Sequence, residues 1–291
     1  MPSVISLQEL EQLAPIFRGK GGHALARALM KMLAVDKVCD TTDRNSFSQG
    51  PDFAHNILRD FGGIYQIGNS HRLQTLPQGP FITVSNHAYG HMDGILLADI
   101  FGHLRSDYKI MVNKILTRIY PLTPSFITVI PQGNVKKSPT SESLAGIKSV
   151  LSHVGAGHPV GFFPSGAVSD LSLKDRCIRD RDWQDDVIKL IRKVRVPVVP
   201  VRFFDRNSMF YYLLGLIDWR IRVARLPAEM FNKQGKRLRL AIGETISVEE
   251  QQQCASIGEL KTLLRRSVYD MPLPDDFVNK DDFFSSFVPT V

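Results

Sequence analysis

Long apolar runs are absent. The longest apolar run nearly free of charge, Met209 to Ile217, is about half of the ~18 residues that a helix needs to cross a bilayer, so no membrane span is expected. Residues 1 to 20 also lack a charged leader followed by an apolar run and a small-residue cleavage site, and no secretory signal is expected. Cysteine is scarce. Cys39, Cys177 and Cys254 are odd in number and widely scattered, which argues against a disulfide framework and suits a reducing compartment. No repeat, low-complexity tract or strong linker interrupts the chain. With 43% apolar, 22% charged and 9% aromatic residues among 291, the composition excludes a disordered chain, a collagen-like repeat or a coiled coil as the main architecture. A folded body with ample material for a core remains.

Charge is present but unevenly spread. The chain carries 36 Lys plus Arg against 29 Asp plus Glu, a formal +7. Residues 201 to 240 hold nine of those cations against Asp205, Asp218 and Glu229, so this window contributes +6. Such a stretch is either a solvated face or a docking surface. Apolar and aromatic neighbours (Met209, Phe210, Tyr211, Tyr212, Leu213, Leu214, Trp219) suit the boundary between lipid headgroups and acyl chains. The mixture also resembles a nucleic-acid surface in composition. No helix-turn-helix, zinc-finger or aromatic strand signature accompanies it, and no nucleic-acid partner is expected. Trp219, Arg220, Arg222 and Arg225 are the candidate docking residues, toward anionic lipid or an acidic carrier protein. The last residues, from Asp270, reverse the sign and contain Pro272, Pro274 and Pro289, so an irregular tail is expected, with Phe277, Phe283, Phe284 and Phe287 available to anchor it.

The first third reads as helical. Ser6 and Glu9 form a capping box, and further helices are expected over His23 to Leu33 and Asp52 to Phe61. Thereafter strand-like runs (Ile64 to Ile67, Phe81 to Ser85, Tyr108 to Val112, Phe126 to Ile130, Val160 to Phe163, Val196 to Val201) alternate with helical stretches (Gly94 to Leu104, Ser141 to Val154, Trp183 to Val194). Alternation of that kind predicts an α/β fold with a mostly parallel central sheet flanked by helices. Trp219 to Val223 alternates strictly and reads as a strand, Arg237 to Ile242 as another, and Val248 to Tyr269 as a closing helix. The expected organisation is a small helical N-terminal region over 1–63, an α/β domain over 64–269 and the acidic tail over 270–291.

The chemistry concentrates after the run Phe81 to Ser85, in Asn86-His87-Ala88-Tyr89-Gly90-His91-Met92-Asp93-Gly94. A polar cluster between a strand and a helix is where open α/β sheets place their ligands. His87 can accept a proton near neutral pH, and Asp93 can hold one ring nitrogen and stabilise the imidazolium. Such a pair activates a substrate hydroxyl without a protein nucleophile. Two other readings stay open: Asn86, His87 and Asp93 as caps of the following helix, or His87, His91 and Asp93 as metal ligands, although their spacing matches no zinc-hydrolase signature. A second loop follows the next apolar strand: Phe163-Pro164-Ser165-Gly166-Ala167-Val168-Ser169. Gly166 permits close backbone approach, and the adjacent amides with Ser165 and Ser169 suit an anionic headgroup or an oxyanion; a plain turn is the simpler alternative. Ser165 is not a hydrolase nucleophile by pattern, because Phe163 stands where a nucleophile elbow has glycine.

In this order, the phrases Asn86-His87 through Asp93, Phe163-Pro164-Ser165-Gly166 and Val196 to Val201 resemble the glycerolipid acyltransferase family, which includes 1-acylglycerol-3-phosphate O-acyltransferases. The resemblance spans about residues 70 to 205. Five residues separate His87 and Asp93, against four in the common family pattern. That spacing, with Gly94, is similar to the hemolysin-like branch, which resembles the O-acyltransferases of ornithine- and glycine-lipid synthesis. Two departures stand out. Neither Ser165 nor Ala167 is the carboxylate that the family or branch carries there, which points away from a simple glycerol-phosphate acceptor. The stretch Phe126 to Asn134 lacks the phosphate-binding Arg of the family, leaving Lys136 and Lys137 as the nearest cations.

The resemblance implies acyl transfer from a thioester, on acyl carrier protein or coenzyme A, to a lysolipid hydroxyl, with His87 as general base and Asp93 as its orienting carboxylate; the alternatives are a non-catalytic lipid-binding protein of the same fold and a His/Asp hydrolase, with or without a metal. Asn86, His91, Gly94, Pro164, Ser165, Gly166, Ser169, Lys136 and Lys137 are the residues expected to bind substrate. No bound cofactor and no metal are expected; the acyl-ACP or acyl-CoA thioester enters as co-substrate. The expected partners are the lysolipid acceptor, the thioester carrier and an anionic membrane surface, for a cytoplasmic protein peripherally associated with the inner face of the membrane.

Overall fold

The structure is a computed structural model that describes residues 18–62, 65–129 and 141–287, with the side chains of 141–143 excepted. Among these residues, eight strands form one sheet: β1 (Tyr65–Gly68), β2 (Ile82–Ser85), β3 (Lys109–Asn113), β4 (Phe126–Val129), β5 (Val160–Phe162), β8 (Val198–Phe203), β9 (Leu238–Ile242) and β10 (Val278–Asn279). A separate hairpin comprises β6 (Asp170–Ser172) and β7 (Cys177–Arg179). Across the sheet the order is β10-β1-β9-β8-β2-β5-β3-β4. Strands β8, β2, β5, β3 and β4 run parallel, β9 lies antiparallel to β8, β1 is parallel to β9, and β10 antiparallel to β1. The central strands are rich in β-branched residues, and all four residues of β2 are buried, as expected where helices cover both faces.

The helices are α1 (Gly19–Met32), α2 (Val35–Arg44), α3 (Gly50–Asp60), α4 (His91–Leu104), α5 (Ser141–Gly155), α6 (Asp185–Val194), α7 (Met209–Ile217), α8 (Trp219–Ala224), α9 (Leu226–Phe231), α10 (Val248–Gln253), α11 (Ile257–Tyr269) and α12 (Lys280–Ser286). Side-chain alternation along the strands divides the core. Val199 and Val201 join Phe53, Ile57, Leu96, Ile100 and Phe101 on the α3–α4 face. Ile82, Val84 and Val198 join Trp183, Ile188, Ile191, Leu260 and Leu264 on the α6–α11 face. On the first face Gly102 of α4 lets α3 approach closely, since a Cβ there would collide with the Pro51 ring.

The register positions the site. Ile82 pairs with both Val160 and Val198, so β2, β5 and β8 end side by side. The loops beginning at Asn86, Phe163 and Phe204 therefore emerge from one edge of the sheet, at the carboxyl ends of parallel strands.

Three expectations change. Trp219 to Val223 is helix α8, not a strand. Asp218 caps it, its carboxylate accepting from the Arg220 N–H at 2.6 Å; strict alternation over five residues does not outweigh that start signal. The span Val248 to Tyr269 is two helices, because Ser256 begins a new one by accepting from the Glu259 N–H at 3.1 Å. The tail is not irregular through Phe287: β10 extends the sheet edge, and Lys280 of α12 donates to the wholly buried Asp99 at 3.0 Å. Asp99 also accepts from the Tyr65 hydroxyl at 2.8 Å. Burial alone would raise its pKa, but His103, His55 and Lys280 hold it well below the usual carboxylate range. The Ser6–Glu9 capping box lies outside the described residues.

Candidate active site

Asn86 follows β2 and acts as one more ladder position: its amide accepts from the Phe203 N–H at 2.8 Å and donates to the Phe203 carbonyl at 2.9 Å. It ties the loop to β8, so the amide proposed to bind substrate is engaged in placing the next residue. That residue is His87, whose Nδ1 lies 2.8 Å from Asp93 Oδ2. Asp93 is completely buried at the start of α4 and also accepts from the N–H groups of Tyr89 at 2.9 Å and Gly90 at 3.0 Å. Partnering His87 and capping the helix are thus one arrangement. Burial pushes the Asp93 carboxyl up, while the hydrogen bonds from His87, Tyr89 and Gly90 pull it down. Gly90 adopts φ +88°, and a Cβ there would come within 2.8 Å of Leu226. Only glycine suits both the left-handed backbone and the close approach.

The His87 ring stacks on Phe163, with centroids 4.3 Å apart and planes 25° from parallel. Its side chain is 18% exposed, so the imidazole is partly open to solvent. With Nδ1–H donated to Asp93, Nε2 carries the lone pair and can take a proton. His91 opens α4, and burial together with the nearby His87 pushes its pKa down to about 4. It is neutral at physiological pH. Among the described residues no three His, Cys, Asp or Glu side chains are grouped as metal ligands. Gly94 faces open space, with no atom within 4 Å of a Cβ built there.

The main chain of His87 is held on both sides. Its N–H donates to Asp180 Oδ2 at 3.0 Å, and its carbonyl accepts from the Ser169 N–H at 2.8 Å. The Ser169 hydroxyl, 3.1 Å from that carbonyl, donates to Asp180 Oδ1 at 2.5 Å. Both residues are buried. Ser169, expected to touch substrate, holds the His87 main chain. Ser165 is buried too, its hydroxyl spent on the Ala167 carbonyl at 2.9 Å. The Pro164 carbonyl accepts from the Gln184 N–H at 2.9 Å. Gly166 has φ +65°, and a Cβ would collide with the Gln184 amide. The close approach that needs glycine here is made by Gln184. The Phe163–Ser169 loop therefore acts first as a frame for His87, while Lys136 and Lys137 lie outside the described residues.

Beneath Tyr89 lies a polar cluster. Asn207 donates to the Tyr89 carbonyl at 3.3 Å, and the buried Lys233 donates to Asn207 Oδ1 and stands 5.1 Å from the Tyr89 ring centre. Burial pushes Lys233 down to about 8.

Of the four candidate docking residues, Arg222 is misplaced by the sequence reading. It is only 4% exposed, ion-paired with Asp170 and 3.3 Å from the Ser169 carbonyl. The helical turn of α8 directs it inward, where a strand would have put it beside Arg220. Arg225 is half-buried, over the Phe210 ring and 3.8 Å from Glu229. Trp219 and Arg220 are exposed and stacked, 5.6 Å apart.

A family model described as "Acyltransferase" matches residues 17–274. The chain belongs to this acyltransferase family. Over 227 residues the acyltransferase is 31% identical to a Bacteroides thetaiotaomicron protein named lyso-glycine lipid O-acyltransferase, covering 75% of this chain and 79% of that one. A protein of the same name from Phocaeicola vulgatus is 29% identical over 182 residues, 60% of this chain and 62% of its own. The crystal structure of the 1-acyl-sn-glycerophosphate (LPA) acyltransferase PlsC from Thermotoga maritima matches 85% of the acyltransferase and 93% of its own chain, at TM-score 0.46 and 14% identity. The sequence singled out His87 and Asp93 but not Asp180, Asn207 or Lys233. The burial of Asp180 has no signature in the charge-rich run Asp175 to Asp186, whereas Phe163 directly precedes Pro164 in the second loop.

Proposed function

We propose that this acyltransferase moves a fatty acyl group from a thioester, on acyl carrier protein or coenzyme A, to the hydroxyl of a lysolipid. His87 Nε2 takes the hydroxyl proton as the oxygen attacks the thioester carbonyl; the C–S bond then breaks and the thiolate leaves with that proton. Asp93 orients the ring and stabilises the imidazolium. General-base help of this kind contributes about 10²- to 10⁴-fold, the remainder coming from orientation and charge stabilisation. The observation that carries the reading is the 2.8 Å contact between His87 Nδ1 and a fully buried Asp93. It costs burial of a carboxylate, and its effect is to present Nε2 as a base.

The acceptor is an amino-acid lipid of the lyso-glycine type, as the names of the two curated relatives suggest. Ser165 and Ala167, where the resembled motifs have a carboxylate, favour that acceptor over lysophosphatidic acid. Purified protein is incubated with labelled acyl carrier protein or acyl coenzyme A and a panel of lysolipids. Ester formation on the lyso-amino-acid lipid is expected; exclusive turnover of lysophosphatidic acid contradicts the acceptor assignment, and no transfer to any acceptor contradicts the reaction.

A further inference from the structure

Among the described residues, half of the large apolar side chains that face water fall within one short stretch, Met209 to Val223. On α7 the inward positions are Tyr211 and Tyr212, both essentially unexposed, while Phe210, Leu213, Leu216 and Ile217 are 45–75% exposed. An amphipathic helix normally turns its apolar stripe to the core; α7 turns much of its stripe outward and carries no charge. On α8 the same holds for Trp219, Ile221 and Val223, at 42–58% exposure. A contiguous apolar face of this size marks an interaction surface.

We propose that α7 and α8 form a bilayer-docking element that lies in the headgroup region of an anionic membrane. Four observations select lipid as the occupant. First, the helices have nine and six residues, and among the described residues no helix is long and apolar enough to cross a membrane; an in-plane element needs only one apolar face. Second, cations lie beside it: Arg220 is exposed on α8, and Lys31 is exposed on α1 next to Met32, whose carbonyl meets Arg225 at 3.5 Å. Such cations complement anionic headgroups. Third, Trp219 and Arg220 are stacked at the border between apolar and charged surface, where Trp is enriched in membrane proteins. Fourth, the element is anchored from its buried side to the active-site loop. Arg222 joins α8 to Asp170 and to the carbonyl of Ser169, which holds His87, and Leu226 abuts Gly90. A lysolipid leaving the headgroup layer enters beside the His87 loop; this last point rests on the acyl-transfer reading above.

The full chain is mixed with phosphatidylglycerol–phosphatidylcholine vesicles and, separately, with phosphatidylcholine vesicles. It is expected to sediment with the first more than the second, and less as salt rises. Trp183 is already 1% exposed and Trp219 is 58% exposed, so a blue shift of tryptophan emission on vesicle addition reports Trp219 entering lipid. Combined Phe210→Ser, Leu213→Ser and Ile217→Ser substitution is expected to weaken partitioning at least about tenfold. Absence of vesicle binding or of the emission shift in the natural chain overturns the proposal, even if the triple variant does not fold. So does a folded triple variant that partitions normally, or one whose only change is loss of a dimer or of carrier-protein binding. Binding is read without turnover: a chain that bound vesicles but transferred no acyl group would sink the acyl-transfer reading and leave the docking face standing.

Discussion

Asp180 holds the main chain of His87 at its N–H, and its removal should damage activity and stability together. The carboxylate is 2% exposed and serves two donors, the His87 N–H at 3.0 Å and the Ser169 hydroxyl at 2.5 Å. Asp180→Ala leaves the His87 N–H without a partner, while the Ser169 hydroxyl keeps the His87 carbonyl at 3.1 Å as an acceptor. At about 1–3 kcal/mol for one orphaned buried donor, the loss is about 1–3 kcal/mol. For a chain of this size each kcal/mol moves the thermal midpoint by about 2–4 °C, so a fall of about 2–12 °C is expected. The catalytic effect follows from geometry. The His87 peptide loses the anchor on its N–H side, and a displacement of about 1 Å costs about 10²-fold in rate. Because Asp180 acts through His87, kcat should fall while KM changes little. Asp180→Asn keeps an accepting oxygen of the same size and should recover part of both losses. Scanning calorimetry and steady-state kinetics on the three proteins decide the matter. If Asp180→Ala unfolded within a degree of the natural chain and kept its kcat, the positioning role would be refuted.

Two further outcomes follow from the same loop. Gly90→Ala must hold φ +88° with a methyl group 2.8 Å from Leu226; a loss of at least about 1 kcal/mol is expected in denaturant unfolding, with reduced turnover because the Gly90 N–H donates to Asp93. Lys233, lowered to about 8 by burial, binds its proton less tightly folded than unfolded, where its pKa is about 10.4. Between those values the unfolded chain holds more protons, so the Lys233 contribution to stability rises with pH from 8 upward and is least favourable below it. The stability difference between the natural chain and Lys233→Met should therefore grow in favour of Lys233 from pH 8 to 10; a flat or falling difference in urea titrations refutes the assignment.

The central sheet was legible because its strands are short apolar runs bounded by turn residues, and the site was legible because its polar residues follow one such run directly. His87 and Asp93 are close in sequence, and their spacing carries them to one helix terminus. What escaped was everything whose meaning depends on distant partners. Asp180 and Lys233 look like solvated charges until the fold buries them. Ser165, Ser169 and Gly166 have the composition of a ligand loop, but their hydrogen bonds and close contacts are made with Ala167, His87 and Gln184. The α8 segment shows how weak a five-residue periodicity is: one capping Asp reverses it, and with it the direction of Arg222. The basic window also changed meaning. Of its cations, Arg222 and Lys233 are buried and Arg239 is paired with Asp205 at 2.6 Å, so the surface beside Trp219 is more apolar and less charged than the sequence suggested.

The most direct test of the account is the turnover of His87→Ala beside that of Asp93→Asn, measured as acyl transfer from a labelled thioester to a lyso-amino-acid lipid. His87→Ala is predicted to lose at least the roughly 10²- to 10⁴-fold that a general base supplies, with its circular dichroism unchanged, and Asp93→Asn to be nearly as impaired. A folded His87→Ala protein of near-normal activity would contradict the mechanism outright.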